Sequence, residues 1–157
     1  MACDRQTLMV ATDFSEASEA ALTYAFHLAR TLHTRLDIVH VVPESDVQIL
    51  TSLREHLQSQ ITAETLREVL CADADKRLAE MIERADAKAL IEERLIVTGQ
   101  PAETLVSWAA SKQPRILILG THRRRGIDHL LLGSVAEQVL RQASCSVLIV
   151  PATSTMT

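Results

Sequence analysis

The chain's 157 residues suit one domain that buries its own core, and its 47% hydrophobic and 23% charged content reads as soluble and globular. A net charge of −4 provides no general attraction to nucleic acid or an anionic membrane, and 3% aromatic residues exclude a base-stacking platform. Cys3, Cys71 and Cys145 are odd in number and widely spaced, so a reducing cytoplasm is expected rather than a disulfide framework or a zinc knuckle.

At the start of the chain Asp4 and Arg5 precede any apolar run, so no secretory leader is expected. No apolar run is long enough to cross a bilayer. Thr7 to Ala11 form a short apolar run that predicts a buried strand ending at Thr12-Asp13. Ser15 is placed to cap the helix that follows, whose apolar positions are Ala20, Ala21, Tyr24, Ala25, Leu28, Ala29 and Leu32. "RLDIVHVVP" predicts a second strand, stopped by Pro43. Between Glu44 and Thr98 there is neither glycine nor proline. Leu50, Leu53, Leu57 and Ile61, then Leu70, Ala74, Leu78, Met81, Ile82 and Ala85, step by three and four. They predict one or two amphipathic helices with a break near Thr62–Thr65, whose stripes serve as core or as a partner surface.

"LIEERLIVTG" predicts a third strand ending at Gly99, and Pro101 fits the first position of a helix carrying Leu105, Val106 and Trp108 to Ala110. "RILILG" is a fourth strand. After a loop, a helix carries Val135, Val139 and Leu140, and "SVLIVP" is the last strand. Alternating strands and helices imply an α/β fold: a five-stranded parallel sheet with helices on both faces. Residues 1–157 read as a single domain with a polar tail over 152–157.

The loop after the fourth strand, "GTHRRRGIDHLLLGS", holds three of the four glycines in the chain: Gly120, Gly126 and Gly133. Glycines let backbone N–H groups approach an anion closely, and Gly133-Ser134 would open a helix whose unpaired N–H groups and dipole favour negative charge. In sheets of this kind the ligand sits beyond the carboxyl ends of the strands. There Asp13 can accept hydrogen bonds from a ribose or an adenine amino group, or simply cap the first helix. Val41 offers apolar contact and main-chain hydrogen bonds to a base.

On these residues the chain resembles the universal stress protein family from end to end. Nucleotide-binding members carry G-x2-G-x9-G-[ST] after the fourth strand and an Asp after the first. Gly120, Gly133 and Ser134 match the pattern, as do "ATDFSEAS", "LLLGSVAEQVL" and "SVLIVP". The second glycine is replaced by Arg123, and Gly126 lies three residues too late to stand in for it. A side chain there crowds the phosphates or donates to them.

The resemblance implies a Rossmann-like, adenine nucleotide alpha hydrolase-like fold. It also implies a cytoplasmic stress-response protein that holds ATP, or AMP or ADP, with or without Mg²⁺, as a regulatory ligand. Asp13 and Val41 would take the adenosine, and Gly120, Arg123, Gly133, Ser134 and Val135 the phosphates. It further implies a homodimer paired through the final strand and a protein partner. The alternative is a dimer that has lost the nucleotide and acts as an interaction module. No Walker motif, GxSxG elbow or paired carboxylates mark a catalyst, so at most slow, incidental ATP hydrolysis is expected. His27, His33, His40 and His56 lack metal-ligand spacing, and His122, His129 and the arginine run read as solvated loop residues.

Overall fold

A computed structural model describes residues 7–56, 61–121 and 132–152 of the chain. The elements run β1 (Leu8–Thr12), α1 (Glu16–Thr31), β2 (Leu36–Pro43), α2 (Glu44–His56), α3 (Ala63–Arg84), β3 (Ile91–Gly99), α4 (Pro101–Lys112), β4 (Ile116–Thr121), α5 (Ser134–Gln142) and β5 (Ser146–Pro151). The five strands are parallel and lie in the order β3-β2-β1-β4-β5. The chain winds outward from β1 through β2 and β3, then crosses to β4 and β5. The reversal falls between β1 and β4, where loops diverge and leave a crevice.

Strand alternation sends apolar side chains to both faces of the sheet. Leu8, Val10, Leu36, Ile38 and Ile118 pack with Ala21, Leu22, Ala25 and Phe26 of α1 and Leu78 and Ile82 of α3. Met9, Val39, Leu117 and Leu119 pack on the other face with Leu105 and Ala109 of α4 and Ala136 and Val139 of α5. Truncating a wholly buried side chain such as Leu117 or Ile118 to Ala costs about 2–5 kcal/mol through lost burial and a residual cavity.

Local chemistry sets the helix starts. The Ser15 hydroxyl caps α1 by accepting the Ser18 N–H, and the Thr62 hydroxyl caps α3 by accepting the Thr65 N–H. Pro101 occupies the first turn of α4. The expected break near Thr62–Thr65 is the start of α3. Pro43, expected to stop β2, is its last residue, and α2 starts at once.

Helix ends escape the sequence reading. His33, Asp86 and Gln113 follow α1, α3 and α4 in the left-handed region, at φ 51°, 47° and 48°, where glycine is the usual occupant. Backbone bonds hold the first two turns: Thr34 N–H to the Ala29 carbonyl and Ala87 N–H to the Ile82 carbonyl, each at 3.0 Å. A 3₁₀ turn at Lys88–Leu90 then leads into β3.

The stripe expected on α2 does not join the core. Leu50 is partly exposed and Leu53 is 57% exposed, while Val47 is the buried anchor; Leu57 lies outside the described residues. The α3 stripe does bury Ala74, Leu78 and Ile82. Cys145 packs against the α4–α5 side of the core, and burial pushes its thiol up.

Candidate functional site

The crevice beyond β1, β2 and β4 is a cleft of ≈ 950 Å³, within the size range of ligand pockets. It brings Asp13, Val41, Gly120, Gly133, Ser134 and Val135 together on one lining. Arg123 lies outside the described residues.

The β1–α1 turn is built by short polar side chains. The Ser18 hydroxyl donates to the Ser15 carbonyl at 3.0 Å, so the Thr12 hydroxyl is the donor in its 3.2 Å contact with Ser18 Oγ. Ser18 Oγ also accepts the Asp13 N–H, and Thr12 Oγ1 accepts the Phe14 N–H. The Thr12, Ser15 and Ser18 hydroxyls thus all take part in the turn's hydrogen bonds. Phe14 sits at φ 61°, a left-handed conformation that costs a non-glycine residue about 1–3 kcal/mol.

Asp13 does not cap α1; Ser15 does. Instead Asp13 Oδ1 accepts the Ser15 N–H at 2.9 Å, a local Asx turn. Burial pushes its carboxyl up, but the hydrogen bonds, those from Ser15 foremost, outweigh this and hold it below the usual carboxylate value. The side chain is exposed and charged at neutral pH, suited to accept from a ligand hydroxyl or amine.

Val41 is 8% exposed, its side chain committed to the α4–α5 side of the core, so its main chain is what a ligand can address. Beside it, His40 is buried with Nδ1 2.7 Å from the Thr12 carbonyl. A carbonyl only accepts, so Nδ1 carries the proton. Burial lowers the pKa of His40, against the Thr12 hydrogen bond and Asp13, which raise it, and with Arg77 assisting. The ring is neutral at physiological pH.

The two glycines at the other wall differ. A Cβ on Gly120 would lie 2.2 Å from the Ala17 carbonyl oxygen, so this glycine admits the close approach of α1 to the end of β4. Gly120 therefore has a packing role in addition to its place on the cleft lining. A Cβ on Gly133 would meet nothing within 4 Å. Gly133 is the N-cap of α5, with ordinary backbone angles and no side-chain cap. Among the described residues the first N–H groups of α5 therefore have neither an intrahelical acceptor nor a capping side chain, and Ser134, exposed, adds a hydroxyl beside them.

The sequence reading missed Thr12, Phe14, Ser18, His40 and Arg77, all of which line the cleft. The run "TDFSEAS" carried a signal for the first three: small polar residues between a strand and a helix form side-chain-to-backbone turns. Nothing local marked Arg77, which reaches the cleft from α3 across 64 residues of chain after Asp13.

An α5 start without a side-chain cap and an exposed carboxylate thus line one cleft at the switch point of a parallel α/β sheet. The Universal stress protein family profile matches residues 4–151. The chain belongs to the universal stress protein family. Universal stress protein YxiE of Bacillus subtilis is 31% identical over 148 residues, covering 91% of this chain and 97% of that one. Among solved structures, that of MJ0577 from Methanocaldococcus jannaschii superposes with a TM-score of 0.73 at 23% identity, covering 96% of this chain and 99% of its own. A universal stress protein solved in complex with cAMP is 26% identical, with a TM-score of 0.58 and coverage of 95% and 98%.

Proposed function

We propose that this protein binds an adenine nucleotide in the cleft as a regulatory ligand rather than a substrate. Asp13 takes the ribose or the adenine amino group, and the Val41 main chain takes the base. Gly120, Gly133, Ser134 and Val135 line the phosphates, joined by Arg123. The observation that carries this reading is the α5 start: uncapped N–H groups and an unobstructed Gly133 on the same cleft as an ionised Asp13. Hydrogen bonds to a charged group are worth about 1.5–3 kcal/mol each, enough to hold a phosphate there. The relative solved with cAMP supports the adenine class.

ATP is the ligand proposed first, with AMP and ADP beside it and Mg²⁺ accompanying the polyphosphates. The protein acts in the cytoplasm. It pairs as a homodimer through β5, an uncharged edge strand that exposes part of Val147, Leu148 and Ile149. The ligand biases shape or assembly toward a protein partner, which requires unequal affinity for two states.

Isothermal titration of the purified protein with ATP, AMP and cAMP tests the reading, with mass spectrometry of any nucleotide released on denaturation. Saturable binding with a rise in melting temperature is expected. An empty protein that none of the three stabilises refutes it.

A second reading is favoured by Arg123 at the family's second glycine position and by exposed Ile49, Leu53 and Val69 on α2 and α3. Here the nucleotide is lost and the helices serve an interaction module. Arg123→Gly separates the two: restored binding in a protein otherwise unable to bind nucleotide establishes the second.

A further inference from the structure

Beside the β1–α1 turn stands a stack that the nucleotide assignment does not use. The Arg77 guanidinium carbon lies 4.2 Å from the centroid of the Phe14 ring. That ring lies 4.6 Å from the ring of His40, tilted by 44°. His40 in turn donates to the Thr12 carbonyl. The stack runs from the middle of α3 to the last residue of β1. Leu70, Asp73, Ala74 and Arg77 follow helical spacing, and this one face of α3 lines the cleft.

Arg77 is the sole lysine or arginine among the described residues of that lining. It makes no hydrogen bond or ion pair among the described residues, so its placement rests on the aromatic face. A cation over a ring is attracted by the ring's quadrupole. The ring it covers belongs to the one strained residue of the turn, between Asp13 and Ser15. A left-handed phenylalanine persists only where surrounding contacts hold it.

We infer that Arg77 is a positioning residue for Asp13. By covering Phe14 it holds the turn in the conformation that presents the Asp13 carboxylate to a ligand, and it thereby couples α3 to occupancy of the cleft. The inference rests on the nucleotide reading for its functional meaning. The hold on the turn is testable without a ligand.

Arg77→Met keeps the stem and removes the cation, whereas Arg77→Lys keeps a cation. In the ligand-free protein, amide hydrogen exchange at Phe14 and Ser15 is expected to quicken roughly two- to fivefold in Arg77→Met, the factor that an exposed cation–π contact of ~0.5–1 kcal/mol supplies. Arg77→Lys is expected to restore at least half of the protection. Titrations with AMP and with adenosine should both weaken by that same roughly two- to fivefold factor in Arg77→Met, because Asp13 addresses the nucleoside.

Equal exchange in all three proteins overturns the inference, whatever the ligand results. A loss confined to AMP also overturns it, since Arg77 would then touch the phosphate directly. If wild-type protein binds neither ligand, the nucleotide reading falls while the exchange measurement still decides whether Arg77 holds the turn.

Discussion

Gly120 and Gly133 bracket one loop and fit one motif, yet they answer to different forces. At Gly120 the backbone of α1 leaves no room for a side chain; at Gly133 the protein leaves all of it. The first glycine is required by the fold. The second has no structural need to be glycine, since its backbone angles suit any residue and a polar side chain would cap α5 better. The proposed nucleotide would use the N–H groups that a polar N-cap side chain would otherwise satisfy.

The contrast can be broken by substitution. Gly120→Ala forces a methyl group against a carbonyl that cannot rotate away, and overpacking of this kind costs about 1–3 kcal/mol, or more where backbone blocks relaxation. Chemical denaturation should show a loss at or above that range; an unchanged midpoint would mean that α1 shifts freely. Gly133→Asp should move stability and binding in opposite directions. A capping carboxylate stabilises α5 by about 0.5–1 kcal/mol, while its charge occupies the phosphate position and weakens nucleotide binding at least about tenfold. If stability and binding fall together, the helix start has a structural duty that the coordinates do not suggest.

Asp13→Asn sharpens the comparison at the opposite wall. It keeps the acceptor for the Ser15 N–H and removes the charge, so nucleotide affinity should drop about tenfold in calorimetry, in line with the ~1.5–3 kcal/mol of a charged hydrogen bond, with little change in melting temperature.

The smallest effect is with pH. Burial holds His40 below its ordinary value of 6.5, so as pH falls the unfolded chain takes up the proton before the folded one. Stability from this group is full above about pH 6.5 and declines below it. Asp13 and Arg77 are the charges acting on the ring, the first favouring its protonated form and the second opposing it. Melting temperature should slip between pH 7 and pH 5.5 in wild type, and less in His40→Asn. Parallel pH curves would place the slip in another group.

Strands and helix starts were legible because each has a local cause: apolar runs for β1, β2 and β4, the hydroxyl cap at Ser15, and Pro101 at the start of α4. Helix ends were not, because His33, Asp86 and Gln113 take a conformation that glycine usually marks. The α2 stripe left core and partner surface open because periodicity records which face is apolar but not whether anything covers it. Asp13, Val41, Gly120 and Gly133, singled out by motif and strand-end position, do share one cleft lining. The packing constraint at Gly120 was not legible, since close approach by α1 depends on packing between elements distant in sequence. His40 looked idle because metal spacing was the only question asked of it.

The sheet also has unlike margins. β3 carries exposed Glu92, Glu93 and Arg94, tied to Arg35, Lys112 and Asp75, whereas β5 carries no charge. Charged edges resist strand addition. In the homodimer proposed above, pairing of β5 with its copy would cover the uncharged margin and leave the charged β3 margins outward. Such an assembly would terminate at two subunits, because the margins left outward are the ones that resist further strand addition.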